Sequence, residues 1–413
     1  MTDAIDQAVA RTSPACFAPC PRGLEQALAE ELQALGVAEV DVVNGGVGFH
    51  ADWALIGKLN LHTRLASRIL VQLESRRYRN DKDLYKIAYG VAWEDWFGPE
   101  QTLRVDTNAI RSILGNLNIA TLRVKDAIVD RLREQTGERP NIDTREPQVR
   151  VFVFLTDRQA TLYLDTSGEN LFKRGWRGRH DKGAAPLKEN LAAGLLALVG
   201  WTPGTPLYDP FCGSGTIVIE AAQQALGIAA GGMRHFGYEN LRASPSAIWA
   251  SAGARPDRSA DADADAVAEA ADDSTPLADA NIFASDIDPA MSAMTRTNAQ
   301  RAGVSRALAA IHTGDFVTMA APCSTPGMII TNPPYGERMD FGQSEGDVWG
   351  NNDGLLAMGN HMREAFPGWT ICMLSADLKL PGKLGLKASR RIVLYNGPIE
   401  ARLFVFEMRE RTS

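Results

Sequence analysis

The stretch that decides the fold is YDPFCGSGTIVIEAA, residues 208–222. An apolar strand ends at Asp209, glycines follow at 213 and 215, and an apolar helix starts at about Thr216. Glycines allow a tight turn and a close approach of a ligand to the backbone, and the amide groups at the start of a helix bind polar ligand groups. The stretch therefore predicts a nucleotide-ligand loop in an α/β sheet.

Two common kinds of nucleotide loop do not fit these residues. A dinucleotide-binding fingerprint needs a third glycine where Val218 stands, and a phosphate-binding loop needs a Gly-Lys-Ser/Thr sequence that is missing here. A Gly-x-Gly pair by itself is also compatible with a plain structural turn. The residues at the ends of the neighbouring strands distinguish a ligand-binding loop from a structural turn.

The chain after Pro206 alternates short apolar strands with helices, as in an α/β sheet. The predicted strands are PLYD, ANIFASD, ALAAIHTGD, GMIITN, TICMLSA, RIVLYN and RLFVFEM. We expect the last two to pair as a hairpin with a loop around Asn396-Gly397-Pro398. Seven such strands make a full sheet.

Acidic residues stand at the ends of the second and third of these strands. Asp286, in FASDIDP, is placed to accept two ribose hydroxyls, whereas Asp288 suits either a ligand or the cap of the following helix. Asp315, in TGDF, could accept from an adenine amine, although Gly-Asp pairs are also common in turns. Three Asp-tipped strands at one edge favour a nucleoside-containing ligand.

The fourth strand ends in TNPPYGER. A residue before proline favours an extended backbone, and Pro333 and Pro334 remove two backbone donors. The Asn332 side-chain oxygen and the Pro333 carbonyl therefore remain as acceptors, which suit the two hydrogens of a planar exocyclic amine. Tyr335 offers a face on which a flipped-out base can stack.

The N-terminal half predicts two smaller α+β units, over residues 15–75 and 76–165, joined to the sheet by a basic linker, 166–185. The linker contains KRGWRGRHDK, with five basic residues around a tryptophan. Such a stretch is typical of contacts with an RNA backbone and its bases, and a solvated linker is the plain alternative. The predicted RNA contacts are Lys173, Arg174, Trp176, Arg177 and Arg179.

Charge and cysteine content narrow the class of protein. The net charge of −7 arises mostly from the Ala/Asp-rich stretch around 255–280, and we predict a disordered acidic insertion over 252–280. Five cysteines, an odd number, indicate small buried side chains rather than a disulfide framework or a metal site. The chain has no signal-like or membrane-spanning stretch, so we expect a cytoplasmic protein without a resident metal.

These motifs resemble a known family. DPFCGSGT, SDID, GDF and NPPYGER, in this order, resemble class I S-adenosylmethionine-dependent methyltransferases that act on amino groups. CPRGLE, LRVKDAIVDRLRE, LDTSGENLFKRGWR and APLKENLAA resemble the THUMP-containing bacterial members that methylate guanine N2 in 23S rRNA. The resemblance implies an α/β, Rossmann-like methyltransferase domain with a seven-stranded mixed sheet over 186–413. A ferredoxin-like domain over 15–75 and a THUMP RNA-binding domain over 76–165 would precede it.

The resemblance also implies the cofactor, the partner and the site. The cofactor would be S-adenosyl-L-methionine, and the partner would be RNA, namely 23S rRNA or a large-subunit precursor. The implied cofactor-binding residues are Asp209, Phe211, Gly213, Gly215, Asp286, Asp315, Pro186 and Lys188. The residues implied to hold the target base are Asn332, Pro333, Pro334 and Tyr335.

Two alternatives remain open from the sequence. The first is guanine-N2 methylation of tRNA, and the second is a catalytically silent RNA-binding or ribosome-assembly factor. Long members of the family carry a second methyltransferase domain after the first. In the given sequence the last recognised motif is RLFVFEMRERTS, and we expect no second activity from it.

Overall fold

The structure, a computed structural model, describes residues 13–178, 187–242, 277, 279–333 and 352–410. They form two compact units, each with a seven-stranded sheet. The first unit contains the chain up to Cys20, Leu28–Leu171 and the segment from Met233. The second contains Pro21–Ala27, Phe172–Gly232 and the C-terminal part of the chain. Within the described ranges, no helix is both long enough and apolar enough to cross a membrane.

Among its described residues, the first unit has four helices beside its sheet. Its strands are β1 (Ala15–Pro19), β2 (Val40–Val43), β3 (Gly46–His50), β4 (Leu70–Arg77), β5 (Leu103–Ala109), β6 (Val149–Leu155) and β7 (Gln159–Asp165). Its helices are α1 (Glu25–Leu35, whose first turn counts with the second unit), α2 (Trp53–His62), α3 (Asp81–Tyr89) and α4 (Leu117–Thr136).

One continuous sheet, in the order β2-β3-β1-β4-β7-β6-β5, joins the two predicted N-terminal domains. All neighbouring strands in it are antiparallel except β5 and β6. The predicted boundary between 75 and 76 falls inside β4, which pairs with β1 on one side and β7 on the other. The two modules therefore share backbone hydrogen bonds across β4. Which strands pair with β4 depends on segments that are distant in the sequence, so local patterns do not reveal it.

The N-terminal cysteines are buried in this unit, as expected. Cys16 lies in β1 and Cys20 directly after it, and neither forms a disulfide. Burial raises the pKa of Cys16 to about 12, which keeps the thiol protonated at neutral pH. These side chains act as small hydrophobes.

The second unit contains all seven strands that the sequence predicted. They are β8 (Leu207–Asp209), β9 (Ile282–Asp286), β10 (Leu308–Thr313), β11 (Met328–Thr331), β12 (Thr370–Ser375), β13 (Arg390–Asn396) and β14 (Ile399–Glu407). Its helices are α5 (Glu189–Val199), α6 (Thr216–Ala225), α7 (Pro289–Arg301), α8 (Asn352–Ala365) and α9 (Leu380–Lys383).

The strand order β10-β9-β8-β11-β12-β14-β13 makes a mixed sheet. The five strands from β10 to β12 are parallel, and β14 runs antiparallel between β12 and β13. The predicted hairpin is confirmed, since Asn396 pairs with Ile399. Because the chain goes from β8 to β9 on one side and returns to β11 on the other, the crevice for a ligand lies at the carboxyl ends of β8, β9 and β11.

Aromatic and long aliphatic side chains fill the core on one side of this sheet. Phe366, directly after α8, packs against Tyr208 of β8, with ring centroids 6.1 Å apart, and against Phe316, at 5.5 Å. All three side chains are buried. This packing fixes the positions of the strand ends, and with them the start of the loops that follow the strands.

The compact units divide the chain differently from the predicted domains. Tyr238 lies within the predicted 186–413 domain, but its backbone N–H donates to the Thr166 carbonyl at 2.9 Å. Arg234 donates to the Ser167 carbonyl at 3.0 Å, and both residues belong to the first unit. The segment from Met233 thus packs on a loop that precedes it by more than sixty residues. Most of the predicted acidic insertion, 252–276, lies outside the described residues.

Candidate active site

Four predicted site residues lie at the carboxyl ends of four parallel strands. Asp209 ends β8, Asp286 ends β9, Asp315 follows β10, and Asn332 follows β11. Since β10, β9, β8 and β11 are consecutive in the sheet, these polar side chains share one edge of it. The arrangement is the one that ligand-binding α/β sheets use.

The loop after β8 adopts a shape that needs glycine. Gly213 has φ +54° and Gly215 has φ +85°, both in the left-handed region. Gly215 directly precedes α6, and a Cβ added there would lie 2.9 Å from Thr295 Cγ2 of α7. A Cβ at Gly213 would meet nothing within 4 Å, so this side of the loop leaves space for a ligand.

Asp286 is tied to this loop by its own carboxylate. Its Oδ2 accepts from the Gly213 N–H at 2.8 Å, and its Oδ1 accepts from the Asp288 N–H at 3.0 Å. Burial raises the pKa of Asp286. Each carboxylate oxygen accepts more than one hydrogen bond, so the group retains capacity for the hydroxyls of a ribose. Asp288 takes its predicted structural role, because its Oδ1 caps α7 by accepting from the Ala290 N–H at 2.8 Å.

Asp209 is almost fully buried, with 2% of its surface exposed. Its Oδ1 accepts from the Thr331 hydroxyl at 2.6 Å and from the Phe211 N–H at 3.2 Å. Burial raises the pKa of Asp209 to about 7, and the charge of Asp286 acts in the same direction. Asp209 therefore connects the glycine loop to the end of β11.

Asp315 begins a short turn at its strand end. Its Oδ1 accepts from the Val317 N–H at 3.2 Å, and Phe316 beside it is buried. The preceding Gly314 N–H donates to the Asp286 carbonyl at 3.0 Å, so the ends of β9 and β10 stay together. The position fits the predicted contact with an adenine amine, which stays a prediction.

The side-chain oxygen of Asn332 is a buried hydrogen-bond acceptor. Among the described residues, none donates to its buried Oδ1. A buried amide oxygen without a partner is costly, and such atoms in native proteins frequently mark a ligand site. Pro333 is buried next to it, whereas Pro334 and Tyr335 lie outside the described residues.

An apolar residue that the sequence patterns did not single out lies at the same edge. Ile287 stands between Asp286 and Asp288, and 57% of the residue's surface is exposed. An exposed large aliphatic side chain at a ligand-binding edge suits the flat face of a base. The signal was present in SDID, where an isoleucine follows the strand-ending Asp.

The helix α5 begins at Glu189, which Arg177 links to Ser214 and Thr216 of the glycine loop. Lys188 is exposed at its N-cap, with its Nζ 5.2 Å from the centroid of the Phe172 ring. Its predicted contact with the cofactor stays a prediction, and Pro186 lies outside the described residues.

The predicted RNA-binding role is wrong for Arg174 and Trp176. The Trp176 side chain is fully buried, so no base can stack on it. Arg174 is also buried, and its Nε donates to Glu220 Oε1 of α6 at 2.9 Å. These side chains stabilise the second unit from inside, which the basic composition of the stretch concealed. Lys173 is exposed and its RNA contact stays a prediction, while Arg179 lies outside the described residues.

Arg177 also serves a purpose that the sequence did not reveal. Its Nη1 donates to Ser214 Oγ at 2.8 Å and its Nη2 to Thr216 Oγ1 at 2.6 Å. Its Nε donates to Glu189 Oε1 at 2.6 Å, and the guanidinium lies over the ring of Trp176. Arg177 therefore fastens the glycine loop to the start of α5 instead of standing free for RNA.

The sheet order, the glycine loop and the Asp-tipped strands define a class I methyltransferase fold, whose cofactor is S-adenosyl-L-methionine. The described residues fit that cofactor, since the loop is open at Gly213 and the Asp286 carboxylate lies next to it, accepting from the Gly213 N–H. Comparison with known proteins gives the family. Residues 174–404 match the methyltransferase domain described as RMKL-like, and the chain belongs to this family. Residues 78–165 match the THUMP domain, and residues 15–70 match the RlmL ferredoxin-like domain.

Relatives cover the chain almost completely. The Ribosomal RNA large subunit methyltransferase K/L of Shewanella baltica is 36% identical over 402 residues, which is 95% of this chain and 53% of that protein. The chain thus spans about half the length of the curated relatives that it matches.

Three solved structures match along nearly their whole length. A possible methylase from Clostridium difficile 630 is 27% identical with a TM-score of 0.77, and the match covers 97% of this chain and 100% of that one. A methyltransferase solved in complex with SAH is also 27% identical, with a TM-score of 0.79 and the same coverage. A protein described as a predicted N6-adenine-specific DNA methylase from Listeria monocytogenes is 28% identical, with a TM-score of 0.78 and 98% of each chain covered.

Proposed function

We propose that this protein transfers a methyl group from S-adenosyl-L-methionine to the exocyclic N2 amine of a guanosine in 23S rRNA. The observation that carries the proposal is the buried Asn332 Oδ1, to which none of the described residues donates, at the sheet edge that also carries the open glycine loop. The THUMP match in the first unit favours RNA as the source of the amine, and the Shewanella relative is named for large-subunit rRNA.

When bound, S-adenosyl-L-methionine supplies a methyl group on a positively charged sulfur. The chain has to hold the cofactor and orient the amine. The Gly213 N–H, already bonded to Asp286, and the open face of the loop would contact the methionine end, while Asp286 would accept from the ribose hydroxyls. Exposed Ile287 would lie against the adenine ring, and Asp315 would accept from its amine.

Asn332 and Pro333 would orient the target amine. The Asn332 Oδ1 and the Pro333 carbonyl would accept its two hydrogens, which would take the nitrogen lone pair out of conjugation with the base and direct it at the methyl group that the bound cofactor supplies. Transfer of the methyl group to the nitrogen would leave the electrons of the carbon–sulfur bond on the sulfur. The resulting cationic amine loses a proton to water, so no strong general base is required. Alignment of this kind supplies about 7–11 kcal/mol in well-oriented reactions.

The amine acceptors alone fit adenine as well as guanine, because both bases carry a planar exocyclic amine. The RNA modules favour a base in RNA, and tRNA is the nearest alternative to rRNA. A catalytically silent assembly factor is disfavoured, because Asp209, Asp286, Asp315 and Asn332 all stand at one sheet edge.

The test incubates the protein with methyl-labelled cofactor and separate pools of 23S rRNA, tRNA and DNA. The labelled nucleoside is then identified. We expect N2-methylguanosine in 23S rRNA. Label in tRNA, in DNA or in a methyladenosine would replace the proposed substrate. A protein that SAH does not stabilise against heat would not be a methyltransferase of this kind.

Asn332→Ala supplies a matched test of the acceptor. The variant should bind SAH within about twofold of the wild type and lose at least about a hundredfold in turnover, since it removes an interaction made with the reacting amine. Asn281→Ala is the control, because Asn281 precedes β9 at the opposite edge of the sheet and its side chain donates to the Gly204 carbonyl at 2.6 Å, away from the candidate site. Unchanged turnover in Asn332→Ala would rule out the acceptor role.

A further inference from the structure

The strands β8 and β11 part just where the site begins. Their parallel register includes Tyr208 opposite Ile329 and goes no further. Beyond this point the Asp209 backbone stays paired with β9, and the Thr331 backbone stays paired with β12. The two sides of the crevice are therefore carried by strands whose main chains no longer hold each other.

A buried side-chain hydrogen bond bridges this gap. Thr331 Oγ1 donates to Asp209 Oδ1 at 2.6 Å, and the two residues are 0% and 2% exposed. A short hydrogen bond that is shielded from water is electrostatically stronger than an exposed one. Because threonine is branched at Cβ, its hydroxyl direction is closely coupled to the backbone. A fixed hydroxyl therefore restrains the strand that bears it.

Each partner stands directly before a functional segment. Asp209 leads into the loop that contains Phe211 and Gly213, and its Oδ1 also accepts from the Phe211 N–H. Thr331 is the residue immediately before Asn332, whose Oδ1 has no donor among the described residues. The same oxygen of Asp209 thus touches both the cofactor loop and the strand that carries the amine acceptor.

We propose that Asp209 and Thr331 form a positioning pair that sets the distance and angle between the methyl donor and the target amine. The proposal rests on the proposed methyl transfer and adds to it the residues that align its two reactants. Neither residue needs to touch a substrate. Thr331 acts through Asn332, and Asp209 acts through the loop that follows it.

A buried threonine needs a hydrogen-bond partner in any fold, so loss of stability alone would not reveal a positioning role. Alignment has a different signature. When two reactants are both bound but misaligned, the turnover number falls while affinities stay the same. A small displacement costs up to about a hundredfold in rate.

The experiment compares Thr331→Val with Thr331→Ser. Valine keeps the shape and the branched Cβ but removes the hydroxyl, and serine keeps the hydroxyl. Turnover on 23S rRNA transcribed in vitro, the KM for S-adenosyl-L-methionine, the Kd for SAH and the melting temperature are measured for each. We expect Thr331→Val to lose between about tenfold and a hundredfold in kcat, with KM and Kd within about threefold. Thr331→Ser should stay within about threefold of the wild-type kcat.

Three outcomes would overturn the proposal. The first is a Thr331→Val variant with wild-type kcat. The second is a loss of kcat matched by an equal loss of SAH affinity, which would indicate a merely structural hydroxyl. The third is a Thr331→Ser variant that is folded and as slow as Thr331→Val. If Thr331→Val fails to fold, Thr331→Ala takes its place, because it also removes the hydroxyl that donates to Asp209; the same loss of kcat at unchanged SAH affinity is expected, and a wild-type kcat would overturn the proposal. A wild-type protein that methylates no RNA would instead remove the proposed function, and the inference with it.

Discussion

Replacing Arg177 with alanine should weaken cofactor binding and leave RNA binding unchanged. The guanidinium donates to Ser214 and Thr216, on either side of Gly215, and to Glu189 at the start of α5. It is the one described side chain that bonds both of these hydroxyls and Glu189. Its loss would release the glycine loop from α5.

The magnitude follows from burial. The side chain of Arg177 is 19% exposed and that of Glu189 is 6% exposed, so the ion pair is largely shielded from water. Hydrogen bonds to a charged group contribute about 1.5–3 kcal/mol each, before a discount for the exposed part. Burial already raises the pKa of Glu189, and removal of Arg177 would raise it further. We expect the free energy of unfolding to fall by about 2–4 kcal/mol and the affinity for SAH to fall by about tenfold or more, which corresponds to about 1.4 kcal/mol.

The assay is calorimetric titration with SAH, combined with urea unfolding and with RNA mobility shifts measured without cofactor. Arg131→Ala is the matched control, since Arg131 has a 23% exposed side chain and pairs with Glu94 within the first unit. It should cost stability and leave SAH affinity unchanged. Arg177→Lys should give intermediate affinity, because one ammonium group cannot satisfy three acceptors that the planar guanidinium reaches together.

The opposite pattern would refute this reasoning. If Arg177→Ala bound SAH like the wild type and bound RNA at least about tenfold more weakly, the basic stretch would be an RNA contact at this position after all. Equal SAH affinity in Arg177→Ala and Arg131→Ala would also show that the three hydrogen bonds do not hold the loop in its binding shape.

Two further predictions concern the same sheet edge. Gly215→Ala should lower the free energy of unfolding by about 2–3 kcal/mol, because its φ is +85° and the new Cβ would lie 2.9 Å from Thr295 Cγ2. Gly213→Ala, with φ +54° and nothing within 4 Å, should cost only about 1 kcal/mol; equal losses in urea unfolding would contradict this. Because burial raises the pKa of Asp209 to about 7, the native state keeps a proton that the unfolded chain releases near pH 4. Stability should therefore fall by up to about 4 kcal/mol as the pH rises from about 4 to about 7, and Asp209→Asn should flatten this dependence; the same slope in both proteins would point to another group, with Asp286 the first to examine.

Much of the catalytic unit could be predicted from local patterns. The strand PLYD and the glycine turn are adjacent in sequence, and each strand-ending Asp or Asn follows directly from its own apolar run. Once the strands are parallel, their carboxyl ends meet at one edge without further information. This is why Asp209, Asp286, Asp315 and Asn332 lie in their predicted places.

The first unit was harder to anticipate. Its helices and strands have clear local signals, such as Gly137 after α4. Which strands become neighbours is decided by pairing between distant segments, and β4 joins β1 to β7 with a shift in register near Gln72. A boundary drawn from local patterns therefore fell inside a strand.

By itself, the sequence determined the strands, the tight turn and the polar residues at the strand ends, because these features depend on a few consecutive residues. Only the tertiary structure decided what the polar and aromatic side chains of the basic stretch do. Trp176 is buried, Arg174 pairs with Glu220, and Arg177 holds the glycine loop. The hydrogen bond from the Thr331 hydroxyl to Asp209 also joins residues that are 122 positions apart in the chain. Burial and hydrogen-bond partners arise from residues that are distant in the chain, so composition alone could not distinguish an RNA-binding surface from a buried clamp.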